Sequence, residues 1–187
     1  MQEDWLKCVN WKQLEIGLQK YVRIMASFEE LNSGTLWENL KYTELRKRFN
    51  HFYRVRRGEE FQQEFYNLLL VNRDSDVSFE DVFTAIKMRT KRVEASFSSK
   101  LLATINPHKP IWDTEVLKKL NMKAPYQADR NRESKIINCY LTIEDWYTNE
   151  LHSARGKEMI RTFDKKMGRY NITDTKKIDL MLWQKDR

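Results

Sequence analysis

Apolar residues return along this chain at three- and four-residue intervals, the spacing that gathers one face of an α-helix, and nowhere do they alternate long enough to predict a strand. From about Trp11 to Leu31 the series is Leu14, Leu18, Tyr21, Val22 and Met25, ended by Asn32, Ser33 and Gly34. From about Thr35 to Phe52 it is Leu36, Leu40, Leu45, Phe49 and Phe52, and after Gly58 it is Phe61, Phe65, Leu68 and Leu69. Ser78, with Asp81 three residues on, has the form of a capping box and opens a helix through Val82, Phe83 and Ile86. Phe97, Leu101, Leu102 and Ile105 share one face of the next helix, which Pro107 stops. Asp113 occupies an N-cap position before Val116, Leu117 and Leu120. A helix from about Ser134 to Leu151 carries Ile136, Ile137, Tyr140, Leu141, Trp146 and Tyr147; Gly156 precedes another with Met159, Ile160 and Phe163; the last places Ile178, Leu182 and Trp183 in the core. The pattern predicts an all-α, compact bundle of about eight to ten helices. It is read as one domain over 1–187, with lobes 1–92 and 93–187 as the alternative division.

Composition agrees with a folded helical chain. Of 187 residues, 41% are hydrophobic and 33% charged, with five Gly and three Pro, which excludes a disordered or turn-rich chain. No apolar run approaches the roughly 20 residues of a membrane span, and the opening residues lack a basic then apolar leader, so no membrane partner and a cytoplasmic protein are expected. Cys8 and Cys139 stand apart, and His51, His108 and His152 are scattered. Reduced, buried thiols are therefore expected, with no disulfide, metal site or cofactor. The oligomeric state is left open.

The net charge of +7 directs attention to acidic partners, above all nucleic acid, with DNA favoured. The charge clusters. Residues 41–57 hold seven Lys or Arg against one Glu, and Arg46, Lys47, Arg54, Arg56 and Arg57 are candidate phosphate contacts. Lys87, Arg89, Lys91 and Arg92 form a second basic stretch. If the two converge, they form one grip on a duplex. The interleaved Tyr42, Phe49 and Phe52 share a helical face and belong to a core before they belong to a base-stacking surface. Signatures of serine hydrolases, P-loop enzymes, zincins and dinucleotide oxidoreductases are absent from the sequence.

Two of the three prolines, Pro107 and Pro110, fix the backbone just before Asp113. The corner either joins two helices sturdily or aims Asp113 at a ligand. Asp113 has a plain structural role available as an N-cap, Lys100 as a flank lysine reaching solvent, and Trp112 as a core anchor.

From Ser96 to Leu120, and above all in the run from His108 to Leu120, the chain resembles the helix-hairpin-helix DNA glycosylases, in which an apolar-Pro-apolar run delivers an Asp to the start of a helix. The resemblance implies a glycosylase-like bundle and base excision. Asp113 then stabilises the positive charge on the deoxyribose, Lys100 is the candidate nucleophile and Trp112 lines a base pocket. The chain departs from that family in two ways: Lys100 lies nearer its Asp and already inside a helix, and no glycine hairpin precedes it. These departures imply that the Asp is kept and the family's Lys is lost or moved. The stretches from Ser96 to Asp113 and from Ile172 to Gln184 also resemble an uncharacterised bacterial family, which implies no activity. Three readings stay open: a glycosylase-like DNA-binding protein, a non-enzymatic nucleic-acid-binding or regulatory protein, and a helical module for an acidic protein partner.

Overall fold

The computed structural model describes residues 5–32 and 34–184, without the side chains of Trp5 and Cys8; the thiol expectation for Cys8 therefore lies outside the described residues. Among these residues the chain is all-helical. In order, the helices are α1 (Trp5–Cys8), α2 (Trp11–Glu29), α3 (Leu40–Tyr53), α4 (Glu59–Val71), α5 (Phe79–Thr90), α6 (Ala95–Ile105), α7 (Thr114–Lys119), α8 (Arg132–His152), α9 (Ala154–Met167) and α10 (Asp174–Leu182). None of them is long and apolar enough to cross a membrane.

The chain forms two compact units. Unit 2 is residues 16–106, and unit 1 joins residues 1–15 to 107–187. The chain leaves unit 2 for unit 1 at Asn106 and Pro107, where the prolines begin.

In unit 2, α6 packs against α4 and α5. Its residues from Phe97 to Thr104 are all buried, three hydroxyls included. Those hydroxyls bond back to their own helix: Ser98 Oγ donates to Glu94 O (2.9 Å), Ser99 Oγ to Ser96 O (3.0 Å) and Thr104 Oγ1 to Lys100 O (2.8 Å). Helices α3 and α4 contribute an aromatic cluster, with Phe49 centred 5.6 Å from both Phe65 and Tyr66. Tyr42, Phe49, Phe52 and Tyr53 are buried, so these rings are core and offer no face to a base. The predicted helix from Thr35 begins instead at Leu40, where Asn39 Oδ1 accepts from the Lys41 and Tyr42 amides. Asn39 holds the cap because its short amide reaches those N–H groups. Leu36 and Leu40, assigned to the apolar face by spacing, are 73% and 82% exposed. Ser78 and Asp81 form the expected capping box, and the hydrogen bonds from Ser78 hold the Asp81 carboxyl below its usual range.

In unit 1, α10 packs against α1, α7, α8 and α9. It is buried from Thr175 to Leu182. Trp183, expected in the core, lies just past the helix and is half-buried, and Leu141 of α8 is exposed whereas Ile143 is buried. Gly156 does not precede α9 but lies in its first turn, capped by Ser153. A Cβ there would stand 1.8 Å from the Glu150 carbonyl oxygen, so only glycine lets α9 start so close to the end of α8. Cys139 is free and half-buried, and burial pushes its thiol up.

Candidate functional site

Within unit 2 the end of α3 is set by a chain of side-chain bonds. Tyr66 Oη donates to Asn50 Oδ1 (2.6 Å), Asn50 Nδ2 to Gln62 Oε1 (2.7 Å), and Gln62 Nε2 to the Arg57 carbonyl (2.6 Å). Arg54 turns the backbone out of the helix at φ 54°. These bonds fix the loop that carries Arg54, Arg56 and Arg57.

Arg57 lines a cleft of about 210 Å³ together with Arg89, Thr90 and Arg92 at the end of α5, opposite Glu60 and Glu64 of α4. The 41–57 and 87–92 stretches thus meet at one place. Arg57 is held bidentate by Glu94 (2.9 and 3.2 Å), and Arg89 by Glu64 (3.2 Å). Arg54, Arg56, Lys91 and Arg92 are exposed at this end of the unit, with Lys91 bonded to the Met88 carbonyl. Lys87 is half-buried. Further along α3, Arg46 lies 3.4 Å over the Trp37 ring and Lys47 is 3.7 Å from Glu44. These two are part of the α3 surface and do not line the cleft.

Lys100 does not reach solvent. It is 7% exposed on α6, its Nζ 5.2 Å from the Phe97 ring centre and 5.6 Å from that of Tyr53. A flank lysine usually snorkels, but α6 is covered on all sides and the amine lies against aromatic faces instead.

The proline corner belongs to unit 1 and is braced by two helices. Tyr140 Oη of α8 donates to the Pro110 carbonyl (2.9 Å), and Thr173 Oγ1, the cap of α10, donates to the Pro107 carbonyl (2.6 Å). Lys109 pairs with Glu144 at 2.9 Å. Pro110, Ile111 and Trp112 are buried, which places Trp112 with the core. Asp113 is half-buried and caps α7, accepting from the Glu115 amide at 2.9 Å.

Sequence reasoning missed the buried polar group on α10. Lys176 Nζ lies 2.8 Å from Asp179 Oδ2, with the two side chains 2% and 7% exposed, and Tyr147 Oη donates to Asp179 Oδ1 at 3.2 Å. Burial pushes the Tyr147 hydroxyl well above the usual phenol range, and the negative charges of Asp179 and Asp113 push it further. The signal was present in the sequence as an i, i+3 Lys–Asp pair inside a hydrophobic helix. A larger depression of about 620 Å³, also in unit 1, draws on His108, α8, α9 and the first turn of α10. Its residues are scattered in sequence and share no motif.

Comparison of the chain with known protein families, curated proteins and solved structures finds no match.

Proposed function

We propose that the chain is a nucleic-acid-binding protein, acting on DNA before RNA, that grips phosphates through the basic end of unit 2. One observation carries this reading: the two basic stretches meet at one cleft, where Arg54, Arg56, Lys91 and Arg92 are exposed while Arg57 and Arg89 are held by Glu94 and Glu64. Phosphate recognition needs clustered, exposed guanidinium groups more than it needs a deep pocket. The test is fluorescence anisotropy with a short DNA duplex between roughly 50 and 200 mM salt. Affinity falls steeply with salt, and Arg56→Glu with Arg92→Glu reduces the slope of log K against log salt by about 2, the loss of two phosphate contacts. An unchanged slope sinks the reading, and an acidic protein partner takes its place.

A second reading, base excision with Asp113 beside the sugar cation, is favoured by the clamp on the proline corner. A carboxylate that stabilises a transition state works best when held in place beforehand, and Tyr140 and Thr173 brace the backbone that delivers Asp113. Lys100 is buried within unit 2 against the Phe97 and Tyr53 rings, so the reading assigns the chemistry to Asp113 and makes no use of a Schiff base. It predicts tighter binding to a duplex with an abasic-site analogue than to an intact one. Asp113→Asn keeps that binding and loses excision. Equal binding to both duplexes leaves the corner as architecture.

A further inference from the structure

The 620 Å³ depression of unit 1 has the size of a small-molecule site, and its lining carries more basic and imidazole groups than acidic ones. His108 comes from the proline corner, Leu151 and His152 from the end of α8, and Lys157, Ile160 and Arg161 from the first turns of α9. Four residues with nitrogen-bearing side chains and two aliphatic ones thus line one space. His108, His152, Lys157 and Arg161 are all exposed, so the rim is open to solvent. Among the described residues Asp174 is the only carboxylate on the lining. Lys177 holds it at 2.8 Å, and the same amine holds Asp164 at 2.8 Å. Arg161 donates one Nη2 bond to Glu158 (2.9 Å), which is not on the lining, and its other N–H groups are not used in that bond. Asp174 and Thr175 begin α10, so the positive end of that helix's dipole also opens here.

We propose that this depression binds a small organic phosphomonoester: a dianionic phosphate among His108, His152, Lys157 and Arg161, with the organic part over Leu151 and Ile160. A phosphate near neutral pH carries close to two negative charges and three strong acceptor oxygens, which a rim of several donors matches better than it matches a carboxylate. The two aliphatic residues give the organic part a reason to stay, which free phosphate lacks. The site lies in unit 1 and does not depend on nucleic-acid binding by unit 2.

Isothermal titration calorimetry of the full chain tests this, with adenosine 5′-monophosphate, adenosine and inorganic phosphate as separate probes. The monophosphate binds saturably at about 0.1–1 mM, and adenosine and phosphate each bind at least ~10-fold more weakly. Lys157→Glu with Arg161→Glu weakens the monophosphate at least ~10-fold, whereas Lys118→Glu with Lys123→Glu, the same change of net charge on exposed residues of the same unit, leaves it within ~2-fold. No saturable heat below ~10 mM monophosphate overturns the proposal. Equal weakening by both pairs overturns it as well, because the attraction is then only the overall charge. If the Lys157 and Arg161 pair loses duplex affinity while the monophosphate does not bind, the depression is part of a nucleic-acid surface and the proposal fails.

Discussion

Helices α6 and α10 are each buried over most of their length and each carries a buried lysine, yet they bury their polar groups by different means. On α6 the hydroxyls of Ser98, Ser99 and Thr104 return to carbonyls of the same chain segment, and Lys100 lies against the rings of Phe97 and Tyr53. On α10 the polar groups need one another and a neighbouring helix: Lys176 holds Asp179, and Asp179 accepts from Tyr147 of α8. A locally satisfied helix tolerates the loss of one group at a time. A mutually satisfied set does not, because removing one member leaves a buried charge uncompensated.

The strongest way to break this contrast is Asp179→Ala. It strands Lys176 and the Tyr147 hydroxyl together and should cost about 3–5 kcal/mol by urea unfolding. Lys176→Met comes next at about 3 kcal/mol, since it strands Asp179 instead. Joining it to Asp179→Leu and Tyr147→Phe should recover most of that loss, because a buried polar set replaced as a whole is close to neutral. Alkali should weaken both units. Burial raises Tyr147 in unit 1 and Tyr66 in unit 2 well above 10. The folded chain keeps those protons after the unfolded chain has released them, so stability is complete below about pH 10 and falls above it by about 1.4 kcal/mol per pH unit per tyrosine. Circular dichroism against pH checks this, and a Tyr147→Phe variant should show a shallower fall. The smallest effect is expected from Ser98→Ala, within about 0.5 kcal/mol, since the hydroxyl's acceptor is in its own helix. If Ser98→Ala costs as much as Lys176→Met, the distinction between the two helices is wrong.

The helices were largely legible because amphipathic spacing and caps are local. Ser78 with Asp81, and Asp113 before α7, were identified from a few neighbouring residues and form the expected bonds. Leu36 and Leu40 show the limit of spacing: Asn39 starts the helix after Leu36, so the two leucines never share a buried face. Gly156 resembled a break because a glycine's usual meaning is conformational, whereas its role here is to let two helix ends approach. The meeting of Arg57 with Arg89 and Arg92 was not legible, since it depends on how α4 and α5 pack. The same holds for Lys176 and Asp179. Two charges in a helix suggest a solvated face until the surrounding helices are known to cover every side.

The order in which the chain is made acquires a meaning from its connectivity. Residues 16–106 are one uninterrupted stretch, while unit 1 joins residues 1–15 to 107–187, and α10, against which α1, α7, α8 and α9 pack, follows those four helices in chain order. On a ribosome, unit 2 has all its parts as soon as α6 emerges, and domains generally fold as units during synthesis. The segments of unit 1 made before that helix must wait, their apolar faces uncovered, until Asp174–Leu182 leave the tunnel. Any aggregation during synthesis should therefore come from the interval between the proline corner and the end of α10, and a pause in translation there should enlarge it.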